Sequence, residues 1–195
     1  MYKVLGGTKS RAFRVYWMLE EMNVDYEGIP LKPKSPELLK INPSGKIPVL
    51  IDGDIVITDS MAILTYLADK HNNLTYPAGT ERRAQQDSFT FAINDEIDSI
   101  LWMSAKHKFI LPKDKQIEEI NESLRWEFAK NCKVLAKKFT KGPFLLGNKM
   151  TIPDILLTTL LRWAKGIRFE HDEEKLDEYL MNMMQRQAFK NVKSI

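Results

Sequence analysis

The spacing of apolar residues in the first third of the chain predicts alternating strands and helices. Residues 2–5 form a short, mostly apolar run that predicts a strand. Apolar residues then recur at intervals of three and four within residues 10–22, which places them on one face of a helix. Residues 24–31 predict a second strand and residues 36–41 a short helix. This order is typical of an α/β unit.

A hairpin follows this α/β segment. Two β-branched runs, residues 47–51 and 55–58, flank the sequence Asp52-Gly53-Asp54. Asp-Gly between such runs is a strong signal for a tight antiparallel turn. Either Asp59 or Ser60 can then cap a helix that reaches about Lys70. The predicted sheet is therefore mixed, with at least one antiparallel pair.

The pattern changes after a turn-rich linker at residues 72–80. Almost everything beyond it has helical periodicity, most clearly over residues 80–108, 115–140, 151–163 and 173–186. Thr151 and Asp154 form a variant capping box, with a structural role at a helix start. We therefore predict two domains: an α/β domain with a mixed sheet at residues 1–76, and an all-helical bundle at residues 81–195.

Composition and charge exclude several classes of function. The net charge is +3, from 29 basic and 26 acidic residues, which does not indicate a nucleic-acid-binding protein. We expect no membrane span and no signal peptide, because the apolar runs are short. The single cysteine, Cys132, cannot form an internal disulfide, and the three histidines lack metal-ligand spacing. These features favour a cytoplasmic protein without a metal.

Several motifs together carry a resemblance to a known family. The N-terminal ones are SRAFRVYWMLEE at residues 10–21, KSPELLKINPSGKIPVL at 34–50 and TDSMAILTYL at 58–67; the later ones are FLLGN at 144–148, TIPDI at 151–155 and RQAF at 186–189. In this order the chain resembles the cytosolic glutathione transferases. The resemblance implies a thioredoxin-like first domain, a helical second domain and glutathione as cosubstrate.

The resemblance fits the serine-type branches of that family best, such as the theta and tau classes. It implies that Ser10 holds glutathione as a thiolate, with Thr8 as the alternative. A hydroxyl donor at the positive end of a helix favours the charged form of a thiol. Serine is also a preferred N-cap, so a purely structural role for Ser10 stays open. Chain positions typical of the tyrosine-type and cysteine-type enzymes lack those residues.

The resemblance also implies the residues that bind glutathione. Ile47, before a cis Pro48, would pair its backbone with the cysteinyl unit, while Asp59 and Ser60 would bind the γ-glutamyl end. Asp59 is shorter than the Glu or Gln that the family more often has there. For the anionic glycyl end, the lysines Lys34 and Lys46 are candidates, and each could equally be a solvated surface residue.

The family function implied is attack of the glutathione thiolate on a small-molecule electrophile or a peroxide. Trp102, Met103 and His107 are candidates for lining the electrophile pocket, although such residues are more often plain core. Family members are usually homodimers, and we expect the same here. Two alternatives remain: a catalytically inactive binding or regulatory protein, and a glutathione-dependent peroxidase or thiol reductase.

Overall fold

A computed structural model describes residues 1–192 of the chain. The chain divides into two compact units. The first contains residues 1–75 together with the C-terminal segment that begins at Met184, and the second contains residues 76–183. Within the described residues, no helix is both long enough and apolar enough to cross a membrane.

The first unit is built on a four-stranded sheet in the order β2-β1-β3-β4. Its strands are β1 (Tyr2–Leu5), β2 (Tyr26–Ile29), β3 (Val49–Asp52) and β4 (Ile55–Thr58). β1 pairs with β2 in parallel and with β3 antiparallel, and β3 pairs antiparallel with β4. The last pair is the hairpin that Asp52-Gly53-Asp54 predicts. The mixed sheet expected from the sequence is thus confirmed.

Three helices accompany this sheet: α1 (Ala12–Met22), α2 (Pro36–Ile41) and α3 (Ser60–His71). α1 is buried over its first two turns, from Ala12 to Leu19, which makes it the central helix of the unit. The side chain of Ser35 caps α2 by accepting a hydrogen bond from the Leu38 backbone N–H at 3.3 Å. The predicted positions of all three helices agree with the structure to within about two residues.

The C-terminal segment packs on α1 through its final helix, α9 (Gln187–Asn191). The Phe189 ring lies 5.0 Å, between centroids, from both Phe13 and Trp17. Arg186 donates two hydrogen bonds to the Glu21 carboxylate, at 2.6 and 2.7 Å. The sequence assigns this segment to the helical domain, whereas these contacts place it with the first unit. Residues 193–195 of that predicted domain lie outside the described part.

The second unit is helical, as predicted. The first predicted helix there consists of α4 (Glu81–Ile93), a π-helical turn (Asn94–Asp98), α5 (Ser99–Ala105) and a second π-helical turn (Lys106–Ile110). The remaining helices are α6 (Ile120–Lys138), α7 (Ile152–Gly166) and α8 (Glu174–Met184). α7 is the most buried of them and forms the core of this unit.

The start of α7 confirms the predicted capping box. Asp154 is fully buried, and its carboxylate accepts hydrogen bonds from the Thr151 backbone N–H at 2.8 Å and the Thr151 hydroxyl at 3.1 Å. The Leu145 N–H and the Tyr179 hydroxyl donate to the other carboxylate oxygen, each at 2.9 Å. Burial raises the pKa of Asp154, and these four hydrogen bonds oppose that shift.

Candidate functional site

The register of the sheet brings the three predicted glutathione-binding segments to one edge. Leu5, at the end of β1, pairs with Val49, at the start of β3. Val49 in turn pairs with Thr58, at the end of β4. The loop that leads to Ser10, the Ile47-Pro48 pair and the Asp59-Ser60 pair each adjoin one of these residues along the chain. The fold therefore collects them, although 50 residues of sequence separate the first from the last.

Ser10 lies just before α1 and is half-buried. Its hydroxyl donates to the Gly7 carbonyl oxygen at 2.7 Å and accepts from the Ala12 N–H at 3.1 Å. The helix itself begins at Ala12, two residues later than the sequence suggests. Ser10 therefore satisfies one of the backbone N–H groups that a helix start leaves without an intrahelical partner. Thr8 is also half-buried, in the same loop.

The loop after β1 touches the Ile47-Pro48 pair directly. Gly6 has a φ of +125°, and a Cβ atom at this position would lie 2.9 Å from the Ile47 Cβ. A larger residue would therefore push these two segments apart. The Ile47-Pro48 peptide bond is cis, and Pro48 is buried. The Ile47 side chain therefore lies against the loop that leads to Ser10.

The Tyr16 side chain anchors the start of that loop through hydrogen bonds to its main chain. Its buried hydroxyl lies 3.0 Å from the Val4 carbonyl oxygen and 2.8 Å from that of Gly6. Burial raises the pKa of Tyr16 to about 12, so the phenol stays protonated and remains a donor. Because this hydroxyl points to main-chain carbonyl groups, we assign Tyr16 a structural role at the end of β1.

The Asp59-Ser60 pair opens α3 with an unusual backbone. Asp59 has a φ of +72°, a conformation that non-glycine residues rarely adopt and that clusters at binding sites. Its carboxylate caps the helix by accepting from the Met61 N–H at 2.8 Å and the Ala62 N–H at 3.2 Å. Asp59 is exposed, while Ser60 is buried. The sequence left the choice of cap open, and the structure assigns it to Asp59.

Arg14 is the site residue that the sequence reasoning missed. It is only 2% exposed, and its Nη1 donates to the Ser60 hydroxyl at 3.2 Å. A guanidinium is always charged at neutral pH, so Arg14 brings a buried positive charge to the start of α3. Arg14 lies in the first turn of α1, and Ser10 precedes that turn in the loop before the helix.

Lys34 and Lys46 lie on neighbouring loops, and both are exposed. The Lys34 N–H donates to the Gly45 carbonyl oxygen at 2.9 Å, which joins the two loops next to Lys46. Lys34 has a positive φ of 61°. The Asn42 side chain donates to the Lys46 carbonyl oxygen at 2.8 Å and fixes the turn before Ile47. Two cationic residues therefore lie on the loops next to the Ile47-Pro48 pair.

The single cysteine and the candidates for the electrophile pocket lie in the second unit. Cys132 is fully buried, and burial together with the nearby Glu173 raises the pKa of its thiol to about 12. His107 accepts a hydrogen bond from the Ile117 N–H at 3.1 Å, and Met103 is 36% exposed. Within residues 1–192, no three His, Cys, Asp or Glu side chains come together in a way that could hold a metal ion.

Comparison with known proteins gives matches over both parts of the chain. The family model for the glutathione S-transferase N-terminal domain matches residues 1–69, and that for the C-terminal domain matches residues 93–187. The chain is 31% identical over 157 residues to a zeta-class glutathione S-transferase of Euphorbia esula, which covers 76% of this chain and 68% of that protein. It is 32% identical over 150 residues to glutathione S-transferase theta-2 of Homo sapiens, covering 70% of this chain and 58% of that protein.

Solved structures agree with these matches. The chain is similar to the glutathione transferase URE2P6 from Phanerochaete chrysosporium, whose structure holds oxidized glutathione. That similarity has a TM-score of 0.80 at 26% identity and covers 98% of this chain and 94% of the other. With both family models, the sheet order and the helical second unit in agreement, the chain belongs to the glutathione S-transferase family.

Proposed function

We propose that the chain is a glutathione transferase that binds glutathione at the sheet edge of its first unit and transfers it to small electrophiles. The observation that carries this proposal is the pairing of Leu5, Val49 and Thr58, which collects the Ser10 loop, the Ile47-Pro48 pair and the Asp59-Ser60 pair. Glutathione bound in similar family structures supports the same ligand here.

In this proposal the three parts of glutathione meet different groups. The γ-glutamyl carboxylate lies at the start of α3, beside the Ser60 hydroxyl and the buried Arg14 charge. The cysteinyl unit pairs with the Ile47 backbone in the manner of an added strand. The glycyl carboxylate is near the cations of Lys34 and Lys46. The Asp59 oxygen that does not cap α3 would accept from the γ-glutamyl ammonium.

Ser10 is the proposed partner of the glutathione sulfur. A free thiol has a pKa of about 8.5, so a transferase that works at neutral pH must favour the thiolate. The Ser10 hydroxyl has one hydrogen, which it donates to the Gly7 carbonyl oxygen, and the two oxygen atoms lie 2.7 Å apart. A hydroxyl rotates freely, so this hydrogen can turn to a thiolate while the oxygen keeps accepting from Ala12. The thiolate then attacks an electrophilic carbon, and the leaving group departs with the bonding electron pair.

Cys132 argues against a thiol reductase that uses its own cysteine. It is the only cysteine in the chain, and its buried thiol has a pKa raised to about 12. A reactive cysteine needs the opposite shift, towards the thiolate. Reduction of peroxides by bound glutathione remains compatible with the site because it uses the same thiolate. Measured turnover of a substrate distinguishes an enzyme from an inactive binding protein.

The direct test measures glutathione binding and ionization together. We expect saturable binding by calorimetry and a thiolate absorption band near 240 nm at neutral pH, with S-methylglutathione as a control that binds without the band. Turnover is then measured with a panel of aryl halides, isothiocyanates and hydroperoxides. Binding without turnover on any of them would identify a binding protein, and absence of binding at about 10 mM glutathione would overturn the site itself.

We further propose that the protein is a homodimer, as the family resemblance suggests. Light scattering at micromolar concentration tests this. A mass near 22.6 kDa, the mass of one chain, would contradict it. The dimer proposal and the glutathione proposal fail independently, because neither measurement depends on the other.

A further inference from the structure

A basic pocket on the second unit is not used by the proposed glutathione site. It has a volume of about 460 Å³ and lies among the start of α4, Tyr76 and the loop between α6 and α7. This volume falls within the range of roughly 300–1,000 Å³ that small-molecule sites occupy. Its polar lining side chains are Tyr76, Arg82, Thr140, Lys141, Asn148 and Lys149.

One wall of this pocket is the loop between α6 and α7, and hydrogen bonds fix its shape. Phe144 and Gly147 exchange two backbone hydrogen bonds, at 3.0 and 3.1 Å, and Thr140 donates to the Leu145 carbonyl. The Leu145 N–H is tied to the buried Asp154 carboxylate at 2.9 Å. Gly142 packs so closely on Gly147 that a Cβ atom there would lie 2.6 Å from its backbone. The loop is therefore held in place before any ligand arrives.

The part of the lining that Tyr76 forms is also fixed by hydrogen bonds. The Tyr76 N–H donates to the Gln86 side chain at 3.0 Å, and the Tyr76 carbonyl accepts from Arg83 at 3.2 Å. Both partners belong to α4, so these two hydrogen bonds tie the Tyr76 backbone to that helix. The Lys149 ammonium lies 4.7 Å from the centroid of the Tyr76 ring. Lys149 is exposed, and this cation–π contact keeps its positive charge beside the Tyr76 ring at the pocket.

The charged side chains in the lining of the pocket are all positive. Arg82, Lys141 and Lys149 contribute three positive charges, and no carboxylate is among the described residues that line the pocket. The chain as a whole is nearly balanced, with 29 basic and 26 acidic residues, so this imbalance is local. A concave surface lined by one sign of charge raises the local concentration of the opposite ion. Thr140 and Asn148 add neutral donors for oxygen atoms.

We propose that this pocket binds a small phosphate-bearing anion with two or more negative charges. The convergence of three cations suits a polyphosphate or phosphate ester better than a single carboxylate, since each phosphate offers several acceptor oxygens. The three cations are confined to one pocket of about 460 Å³, so a small molecule fits it better than an extended nucleic acid, whose phosphates need a long basic track. The assignment is independent of the glutathione site, which lies on the other unit.

Inorganic pyrophosphate is the probe, measured by calorimetry at low salt on the full chain. We expect one saturable site and a weakening of about tenfold or more in the Lys141→Gln, Lys149→Gln double variant. The matched control is Lys137→Gln, Lys165→Gln, which removes two exposed lysines of the same unit outside the pocket. Melting temperatures of both variants check that the fold is kept.

Three results would overturn the proposal. Equal weakening in both double variants would mean that pyrophosphate responds only to the net charge. Loss of binding in Lys46→Gln, with the pocket variant unaffected, would place the anion at the proposed glycyl subsite instead. Tighter binding of a short nucleic acid than of pyrophosphate, lost in the pocket variant, would assign the surface to a nucleic acid.

Discussion

The Arg14 guanidinium donates a hydrogen bond to the Ser60 hydroxyl at 3.2 Å, and both side chains are buried. This contact joins the first turn of α1 to the first turn of α3. Those two helix starts carry the proposed thiolate partner and the proposed γ-glutamyl subsite. One buried contact between residues 46 positions apart would therefore position the groups that hold the sulfur and the γ-glutamyl end of bound glutathione.

Arg14→Met should lower the free energy of unfolding by about 1–3 kcal/mol, because the buried Ser60 hydroxyl loses a charged donor. Ser60→Ala removes the other partner. Urea unfolding of both single variants and the double variant gives the coupling energy, which we expect to be roughly 0.5–1.5 kcal/mol. Additive effects of the two substitutions would show that each residue acts through other neighbours.

A second prediction concerns the buried Asp154, whose two carboxylate oxygens receive four hydrogen bonds. Asp154→Asn places an amide donor against groups that are themselves donors, which should cost about 2–4 kcal/mol of unfolding free energy. Tyr179→Phe removes one of the four bonds and should cost less. Asp177→Asn, at an exposed position on α8, is the control and should be nearly neutral. A neutral Asp154→Asn would contradict the importance of this network.

The parts of the fold that local chemistry determines could be predicted from the sequence. The Asp-Gly turn identified the hairpin, and Thr151 with Asp154 identified the start of α7. Arg14 could not be identified in this way, because a charged residue on a helix is usually solvated and its burial depends on Ser60, 46 residues away. The docking of Phe189 on Trp17 is likewise non-local. The periodicity of apolar residues indicates which face of a helix is buried, but it does not indicate which residues pack against that face.

The candidate site and the long helix of the second unit were likewise only partly predictable from the sequence. Ser10, Asp59 and Ser60 stand at predicted helix starts, so their clustering followed once the sheet order was known. The interruptions of the long predicted helix by two π-helical turns had no sequence signal, since such turns use the same residues as an α-helix. The Asn131 side chain donates to the Glu96 carbonyl within the first of these turns, at 2.9 Å, a tertiary contact between α6 and that turn.

A third prediction concerns the reactivity of Cys132. Burial and the Glu173 carboxylate raise the pKa of its thiol to about 12, so very little thiolate exists at pH 8. Aromatic disulfide reagents should therefore label the chain only as fast as it unfolds, and denaturant should accelerate labelling. The folded-state pKa lies above the ordinary value of 9.0. Between pH 9 and 12 the folded chain keeps a proton that the unfolded chain has lost.

The sign of the resulting pH dependence follows from this difference. Stability falls as pH rises through that window, by at most about 1.4 kcal/mol per pH unit. Cys132→Ala removes this contribution and should flatten the dependence of the unfolding free energy on pH above 9. Rapid labelling of the native chain at pH 8 would show that the thiol is accessible and would contradict both expectations.

The last prediction separates the two roles of Ser10, whose hydroxyl donates to Gly7 and accepts from Ala12. If the hydroxyl also donates to the glutathione thiolate, Ser10→Ala should raise the pKa of the bound thiol by about 1–2 units, since a charge-assisted hydrogen bond is worth roughly 1.5–3 kcal/mol. The rate at neutral pH should fall by about tenfold to a hundredfold. The affinity for glutathione should change much less, because the contacts at its two ends remain.

Loss of the hydrogen bond from Ala12 should cost about 1 kcal/mol of stability in the same variant. The structural role therefore appears in thermal unfolding and the catalytic role in the pH–rate profile, so one protein reports both. Thr8→Ala is the matched control, from the same half-buried loop. A Ser10→Ala protein that melts lower but keeps the thiol pKa and the rate would limit Ser10 to its role at the helix start, and a larger kinetic effect at Thr8 would move the thiolate partner two residues towards the N-terminus.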